Sequence, residues 1–343
     1  MAKCAAQRGI VFNGIKRSRK EDPDSLANCG FVRDVFSNDD VLAANAQLVA
    51  GTAWLFADPQ LETGIDYLFV DEAGQVSLAN LVAMGTAARN VVLLGDQMQL
   101  GQPIQGVHPG RSGESTLEYL LDGEATVRDD RGVFLATSFR MHDDVCRFIS
   151  EAVYDGRLTS APLNQARRLI LDAQASTGLR GSGIRFVPVA HDGCKQRSDE
   201  EAEVVRELFD NLLTQHHVDD RGRTCQMTLE NILVVAPYNA QVNLLKSRLP
   251  QGAKVGTIDK FQGQQAEVVI VSMTTSSGEY LPRNMEFLYD KNRLNVAVSR
   301  AKCLAVVVAS PELLNIRCDR PEQMELVNTL CWLREYADGL PQD

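Results

Sequence analysis

Short apolar runs of strand length follow one another along the first part of the chain. They occupy residues 47–49, 67–70 and 91–94, and each ends in a polar or glycine-containing turn. Residues 76–88, between the second and third runs, have the apolar spacing of a helix. Alternating buried strands and helices are typical of a parallel α/β sheet, in which ligands bind beyond the carboxyl ends of the strands.

A second series of strands and helices begins after residue 140. Its members are predicted at residues 184–189, 199–215, 232–236, 268–273, 304–309 and 321–336. The pattern therefore predicts an α/β fold with two parallel-sheet domains in series, at residues 1–140 and 141–343. Residues 157–183 are richer in Gly, Ser and Arg, and we predict that they form a surface connection within the second domain.

The first 40 residues are polar and lack a sustained periodicity, so we predict a surface excursion there. They contain a basic run formed by Lys16, Arg17, Arg19 and Lys20. This run could touch a phosphate backbone, and a solvated charged face is the alternative.

Composition narrows the class of protein. A chain of 343 residues with 44% hydrophobic content can bury two cores. It has neither an apolar run of membrane-spanning length nor a signal sequence, which predicts a cytoplasmic protein without a membrane partner. The net charge of −10 argues against coating nucleic acid through bulk positive charge, although a local basic groove is compatible with it. The eight cysteines are scattered without zinc or iron–sulfur spacing, which favours reduced thiols.

Two adjacent carboxylates, Asp71 and Glu72, follow the apolar run at residues 67–70. A strand-end Asp can hold Mg²⁺ during phosphoryl transfer, and a neighbouring carboxylate can polarise the attacking water. We assign the first role to Asp71 and the second to Glu72. The alternative is that both acidic residues only open a helix, where negative charge is stabilised.

The next predicted strand runs into a polar loop at residues 95–103. Neighbouring parallel strands end on the same edge of a sheet, so we expect this loop to lie beside Asp71 and Glu72. Gln99 is then a candidate sensor of the γ-phosphate. An ordinary polar turn is the alternative for the loop taken alone.

At this point the chain resembles the superfamily 1 helicases, because six of their motifs occur in order. Motifs II and III are similar to DEAGQ at residues 71–75 and GDQMQLGQP at residues 95–103. The family's arginine-bearing segment is similar to FRMH at residues 139–142, and the strand and helix start of its second domain to VAPYNAQ at residues 235–241. Motifs V and VI are similar to GTIDKFQGQQ at residues 256–265 and NRLNVAVSRAK at residues 292–302. Upstream, VAGTA at residues 49–53 resembles motif Ic. The resemblance covers residues 47–310.

The resemblance implies two RecA-like domains that use ATP and Mg²⁺. It places Arg140 and Arg300 at the γ-phosphate, across the cleft from Glu72, where an arginine from another domain can be worth about 10³ or more in turnover. Nucleotide contacts are also implied for Gln99, Gly263, Gln265 and Arg293, and nucleic-acid contacts for Thr52, Thr257 and Tyr238. Motif V usually carries Glu where this chain has Gln265, which still donates and accepts hydrogen bonds.

These assignments have structural alternatives. Arg140 or Arg300 could instead hold its helix through a salt bridge, and Thr52 or Thr257 could be a cap or turn hydroxyl. A lone aromatic such as Tyr238 is more often packed than functional.

The family's first motif, a P-loop of the form G-x-x-x-x-G-K-S/T, does not occur in the 343 residues. Its backbone amides cradle the phosphates, its lysine neutralises them, and its hydroxyl completes the Mg²⁺ shell. Fifty residues precede Gly51, too few for the missing strands, loop and helix. We therefore expect a truncated chain with an incomplete first RecA-like domain.

The sequence predicts an ATP-dependent helicase or translocase of the superfamily 1B branch, which usually moves 5′ to 3′ on single-stranded nucleic acid. The amino-acid sequences of its motifs look closest to those of bacterial proteins that fuse a RecB-like nuclease ahead of the helicase. This resemblance implies DNA as the partner. No residue discriminates against RNA. Two rivals remain open: a non-catalytic nucleic-acid-binding remnant, and a subunit that takes its P-loop, or an N-terminal nuclease region, from a separate chain.

Overall fold

The computed structural model describes residues 2–19, 30–101, 106, 108–261, 263–281 and 285–340. The internal contacts divide the chain into two compact units, Met1–Gln97 with Gly101–Gly123 (unit 1) and Met98–Leu100 with Glu124–Asp343 (unit 2). Residues 124–140, which the sequence prediction counted with the first domain, group with unit 2. Within the described part of the chain, no helix is long and apolar enough to cross a membrane.

Unit 1 alternates short strands and short helices. Its elements are α1 (Ala2–Gln7), β1 (Gly14–Arg17), β2 (Val32–Val35), α2 (Asn38–Ala43), β3 (Leu48–Ala50), α3 (Ala53–Phe56), β4 (Ile65–Val70), α4 (Leu78–Gly85), β5 (Ala88–Leu93) and α5 (Thr116–Leu121). Its strands form two parallel sheets with the orders β2-β1-β3 and β4-β5. Serine hydroxyls cap α2, α4 and α5 by accepting backbone hydrogen bonds in the first turn, which defines where these helices begin.

The prediction of a surface excursion over the first 40 residues was wrong. Strand β1 is central in its three-stranded sheet, and Ile15 is fully buried in the apolar core of unit 1. Lys16 and Arg17 of the basic run lie within this strand, whereas Lys20 lies outside the described residues. A four-residue strand with a single aliphatic side chain offers too little periodicity to be recognised in a sequence.

Unit 2 is larger and contains the longer elements. They are β6 (Thr137–Ser138), α6 (Asp143–Val153), β7 (Thr159–Ser160), β8 (Arg168–Ile170), β9 (Gly183–Pro188), α7 (Asp199–Thr214), β10 (His216–Val218), β11 (Thr224–Gln226), β12 (Ile232–Val235), α8 (Asn239–Arg248), β13 (Lys254–Gly256), β14 (Ala266–Ser272), α9 (Met285–Tyr289), α10 (Lys291–Val298), β15 (Ala301–Ala309) and α11 (Pro321–Gly339). The predicted strands and helices of the second series are confirmed, with ends that differ by a few residues.

A five-stranded parallel sheet with the order β13-β12-β14-β15-β9 organises unit 2. Successive residues of its strands point to opposite faces, and each face contributes to its own apolar core. Val268 and Ile270 belong to one core, whereas Val269 and Val271 belong to the other. Burial on both faces is the reason that these strands are continuous apolar runs in the sequence.

The surface connection predicted at residues 157–183 is in fact partly buried. Arg180 is buried, and its guanidinium donates to the carbonyl oxygen of Ala337 (3.3 Å). Asn164 is fully buried and donates to the carbonyl oxygen of Ser138 (2.8 Å). Polar residues in a connection therefore satisfy backbone groups of unit 2, so composition alone misidentified them as solvated.

A buried polar network joins the start of α7 to the end of β14. Glu201, fully buried, accepts hydrogen bonds from the Ser272 hydroxyl (2.6 Å) and the Thr274 backbone N–H (2.8 Å), and its Oε1 lies 3.0 Å from His191 Nε2. His191 Nδ1 lies 2.7 Å from Ser276 Oγ. Because these side chains are inaccessible to solvent, the network fixes the packing of α7 on the sheet.

Candidate functional site

The predicted metal ligand and catalytic base lie at the carboxyl end of β4. Asp71 and Glu72 are both exposed, and Asp71 Oδ1 accepts a hydrogen bond from the Glu72 backbone N–H (3.0 Å). Glu72 adopts the left-handed conformation with φ 52°, which turns the chain sharply into a short 3₁₀ helix. Glu72 is the N-cap residue of this short helix, and its side chain makes no capping hydrogen bond there. Its role as a catalytic base stays a prediction.

The start of the polar loop after β5 lies beside these carboxylates, as the parallel-sheet argument predicts. The Leu94 N–H donates to the Val70 carbonyl (2.9 Å), and the Ala73 N–H donates to the Leu94 carbonyl (2.8 Å). A Cβ added at Gly74 would lie 2.5 Å from the carbonyl oxygen of Asp96, so the two turns touch backbone to backbone. Gly74 is therefore required by the close approach of the turns.

Gln99 belongs to the segment Met98–Leu100, which groups with unit 2. The side-chain amide of Asn295, in α10, donates to the carbonyl oxygen of Met98 (2.8 Å) and to the hydroxyl of Tyr154 (2.9 Å). This anchor holds the residue next to Gln99 within unit 2. The γ-phosphate sensor assigned to Gln99 stays a prediction, and Gln102 and Pro103 of the same motif lie outside the described residues.

Two arginines converge on adjacent residues in unit 2. Arg140 donates through Nε to Gln265 Oε1 (3.1 Å) and through Nη1 to the Ser299 carbonyl (3.1 Å). The Arg300 guanidinium, almost fully buried, lies 3.5 Å from the carbonyl oxygen of Gln264. The structure therefore brings Arg140, Arg300 and Gln265 together, although they are far apart in sequence.

No carboxylate among the described residues neutralises Arg140, because its side chain is hydrogen-bonded to an amide and a carbonyl oxygen. Burial lowers the pKa of Arg140, yet an arginine stays protonated at neutral pH. A half-buried cation with only neutral partners is electrostatically costly unless an anion approaches. The salt-bridge alternative for Arg140 is therefore not what the geometry shows.

This arginine cluster lies at the amino ends of its strands. Gln265 and Arg300 immediately precede β14 and β15, and the Ala266 N–H donates to the Arg300 carbonyl (3.1 Å), which aligns the two strand starts. The carboxylates of unit 1, in contrast, follow the carboxyl end of β4. The rule that ligands bind beyond the carboxyl ends of parallel strands predicted the position of the carboxylates but not that of the arginine cluster.

Arg293 and Tyr238 both pack against the side chain of Phe287. The Arg293 guanidinium lies 4.5 Å from the ring centroid of Phe287, and the Tyr238 ring lies 5.6 Å from the same ring. Tyr238 is only 5% exposed. The Tyr238 ring is therefore packed in this structure, and the nucleic-acid contact assigned to it stays a prediction.

The remaining predicted contacts lie in turns. Thr257 follows β13 and is half-buried, and Gly263 is exposed with φ 77°, a conformation that favours glycine. Thr52 is exposed and makes no side-chain capping hydrogen bond at the start of α3, so its hydroxyl is not a helix cap. No group of three or more His, Cys, Asp or Glu forms a metal cluster within the described part of the chain. A metal held by Asp71 needs ligands from a nucleotide or water, which suits Mg²⁺.

Several residues of the arginine cluster were not predicted. The backbone carbonyls of Ser299 and Gln264 accept from the arginines, and Arg167 donates to the Arg140 carbonyl (3.0 Å). Backbone acceptors have no sequence signal. Arg167 lies in a segment whose composition indicates surface, so nothing local identifies it.

These features define an α/β protein of the RecA-like class, with parallel sheets and with carboxylates and arginines at strand ends. Residues 113–312 match the AAA_12 family, an AAA domain, and because the match covers more than half of the sequence, the chain belongs to this family. The motif resemblance to superfamily 1 helicases is supported by this match and by the relatives of the chain.

Among those relatives, the DNA polymerase alpha-associated DNA helicase A of Schizosaccharomyces pombe is 28% identical over 253 residues, which cover 69% of this chain and 36% of that protein. The DNA-binding protein SMUBP-2 of Rattus norvegicus is 28% identical over 316 residues, which cover 88% of this chain and 30% of that protein. The chain thus spans about a third of the length of these curated relatives. A solved arterivirus nonstructural protein 10 (helicase) with DNA aligns over 95% of this chain and 52% of its own, at 16% identity and a TM-score of 0.43.

Proposed function

We propose that this chain takes part in ATP hydrolysis that drives movement along, or unwinding of, single-stranded nucleic acid. The observation that carries the proposal is the convergence of Arg140 and Arg300 on adjacent residues, with neutral partners around Arg140. Two guanidinium groups in such surroundings suit a polyanion such as a triphosphate. The names of the related helicases support nucleic acid as the second ligand.

Within this proposal each unit supplies one set of groups. Asp71 and Glu72 lie exposed at the end of β4, where Asp71 would hold Mg²⁺ and Glu72 would polarise the attacking water. Arg140 and Arg300 would stabilise charge that develops on the γ-phosphate. Gln99, Gly263, Gln265 and Arg293 are proposed to contact the nucleotide, and Thr52 and Thr257 to contact the strand backbone.

We further propose that turnover requires a P-loop from a segment outside these 343 residues, in the same polypeptide or in a partner that also carries a nuclease region. The sequence contains no G-x-x-x-x-G-K-S/T, and Asp71 is a single exposed carboxylate. A cation is needed to neutralise the β- and γ-phosphates, and backbone amides are needed to cradle them. DNA as the strand and a 5′ to 3′ direction are proposed from the motif resemblance.

The decisive measurement is ATP turnover with single-stranded DNA, by the chain alone and with a P-loop-bearing segment added. Where turnover is detected, Glu72→Gln is expected to lower kcat by about 10²- to 10⁴-fold, because a general base is lost, while strand affinity stays unchanged. Asp66→Asn is the matched control, since Asp66 is an exposed carboxylate on the same strand. Equal turnover by Glu72→Gln and the wild type would contradict the assignment of Glu72.

The same assay separates the rival functions. Strand binding without turnover under every condition favours a non-catalytic nucleic-acid-binding clamp. Turnover that appears only with the added segment favours a borrowed P-loop. The direction is tested by comparing unwinding of partial duplexes that carry a 5′ or a 3′ single-stranded tail, and equal unwinding of a 3′-tailed substrate would contradict the proposed direction.

A further inference from the structure

The most exposed large apolar side chain in the described part of the chain is Trp54, at 84% exposure. It lies in helix α3, directly after the turn that contains Thr52. The residues that follow it, Leu55 and Phe56, are buried in the core of unit 1, with 3% and 7% exposure. The two buried side chains attach the helix to the core of unit 1, and the indole of Trp54 points into solvent.

The turn before α3 is also fixed by packing. A Cβ added at Gly51 would lie 2.6 Å from Leu55 Cδ2, so the chain passes tightly over the buried leucine. Thr52, next in the chain, is exposed, and its hydroxyl makes no capping hydrogen bond. An aromatic face and an available hydroxyl thus lie two residues apart on one rigid, solvent-facing turn.

This pair of groups matches the two chemical parts of a nucleotide. A nucleobase stacks on an aromatic face, and a phosphate oxygen accepts a hydrogen bond from a hydroxyl. We propose that Trp54 is a stacking platform for a base of single-stranded nucleic acid, with the Thr52 hydroxyl on the neighbouring phosphate. The proposal rests on the proposed function, in which nucleic acid is a ligand of this chain. It adds a binding residue whose contact is tolerant of base sequence, because every base has a π face.

The chain allows a direct optical test, because it contains only two tryptophans. Trp332 is 37% exposed, with its ring edge-on to Phe148 at 5.9 Å between centroids. The variant Trp332→Phe leaves Trp54 as the single indole. Titration of this variant with an oligo-dT strand is expected to quench Trp54 fluorescence until the site is saturated.

Affinity provides the second readout. Trp54→Ala is expected to weaken oligo-dT binding, measured by fluorescence anisotropy of a labelled strand, by about 5- to 150-fold. Trp54→Phe should keep part of the affinity, because the smaller ring still stacks. Val82→Ala is the matched control, since Val82 is an exposed apolar residue on helix α4, which packs on α3. It is expected to change affinity by less than about twofold.

An abasic strand distinguishes stacking from general apolar contact. It keeps the phosphates and loses the bases, so the wild type and Trp54→Ala should bind it equally. Binding of oligo-dT without Trp54 quenching, or with unchanged affinity in Trp54→Ala, would overturn the inference and leave the proposed function standing. An equal loss of affinity in Val82→Ala would show that strand binding depends on the apolar patch and not on stacking by Trp54, and would also overturn the inference. Failure of the wild type to bind any strand would contradict the proposed function itself.

Discussion

Strands β14 and β4 are both parallel and both apolar, yet their surroundings differ. Alternate residues of β14 enter two separate cores, so Val269 and Ile270 are both fully buried. In β4 only one face is covered: Leu68 is buried, whereas Tyr67 and Phe69 are each 58% exposed. An apolar run therefore defines a strand, and its neighbours define how many of its faces are covered.

The difference extends to the proposed chemistry. The fully covered sheet of unit 2 fixes the starts of β14 and β15, and with them the arginine cluster. The half-covered sheet of unit 1 ends in exposed carboxylates that make few contacts of their own. The set of cations and the accessible set of carboxylates are therefore built on sheets whose faces are unequally covered, for which we expect unequal local stability.

The same substitution in both regions tests this contrast most strongly. Phe209, on α7, is fully buried, so Phe209→Ala is expected to destabilise unit 2 by about 3–5 kcal/mol. Phe69→Ala, on the exposed face of β4, is expected to cost less than about 1 kcal/mol. Urea unfolding, resolved by hydrogen exchange of peptides from each unit, measures both values. Equal losses of unfolding free energy in the two variants would show that the outer face of β4 is covered in solution, and would contradict the contrast between β4 and β14.

A smaller effect is expected at the buried carboxyl group of the polar network. Glu201→Gln replaces an oxygen that accepts from Ser272 and the Thr274 N–H, and the amide cannot satisfy all of these donors. We expect a loss of about 2 kcal/mol in unit 2. Glu72→Gln is the counterpart in unit 1 and should leave stability unchanged while lowering turnover. Denaturation of both variants checks this, and a stability loss for Glu72→Gln would mean that its carboxylate is structural.

The smallest expected effect depends on pH. Burial alone would raise the pKa of Glu267, but hydrogen bonds from Lys302 (2.8 Å) and Asn231 (2.8 Å) outweigh it and hold the pKa below its usual value. The unfolded chain's Glu has a pKa of about 4.3, and above that pH the lowered pKa of Glu267 stabilises the folded state. This stabilisation is lost as the pH falls through the pKa of Glu267 in the folded protein. Glu267→Gln should therefore cost about 1 kcal/mol at neutral pH and progressively less below pH ~4. A pH-independent difference in unfolding free energy would contradict this account.

Part of this fold is readable from the sequence because burial on both faces leaves long apolar runs. Strands β14 and β15 were predicted within a few residues for that reason. Strand β4, which ends just before Asp71, was predicted from its short apolar run although only one of its faces is covered. Strands β1 and β2 were missed, since each has four residues and few apolar side chains. Their place in the sheet depends on pairing partners distant in sequence, which local patterns do not encode.

The site shows the same limit. Asp71 and Glu72 were assigned as candidates because both stand at the end of one local pattern, whereas the hydrogen bond between Arg140 and Gln265 joins distant segments. The start of α7 is instructive as well. Ser198 and Glu201 have the spacing of a capping box, and Ser198 does accept from the Glu201 N–H (3.0 Å). The Glu201 carboxylate, however, turns inward to the buried network, and Gln241 accepts from the Ser198 N–H instead (2.9 Å).

The uncovered face of β4 also governs how the protein behaves at high concentration. Tyr67 and Phe69 present neighbouring rings, 6.4 Å apart, on a strand that alternates apolar residues without a charge between them. The charged residues of this strand pair, Asp66 and Arg89, lie 3.8 Å apart and partly neutralise each other. Such a surface favours self-association of strands. The net charge of −10 opposes it by repulsion between molecules. Solubility should therefore fall as acid neutralises the carboxylates, and aggregation should begin at this strand pair.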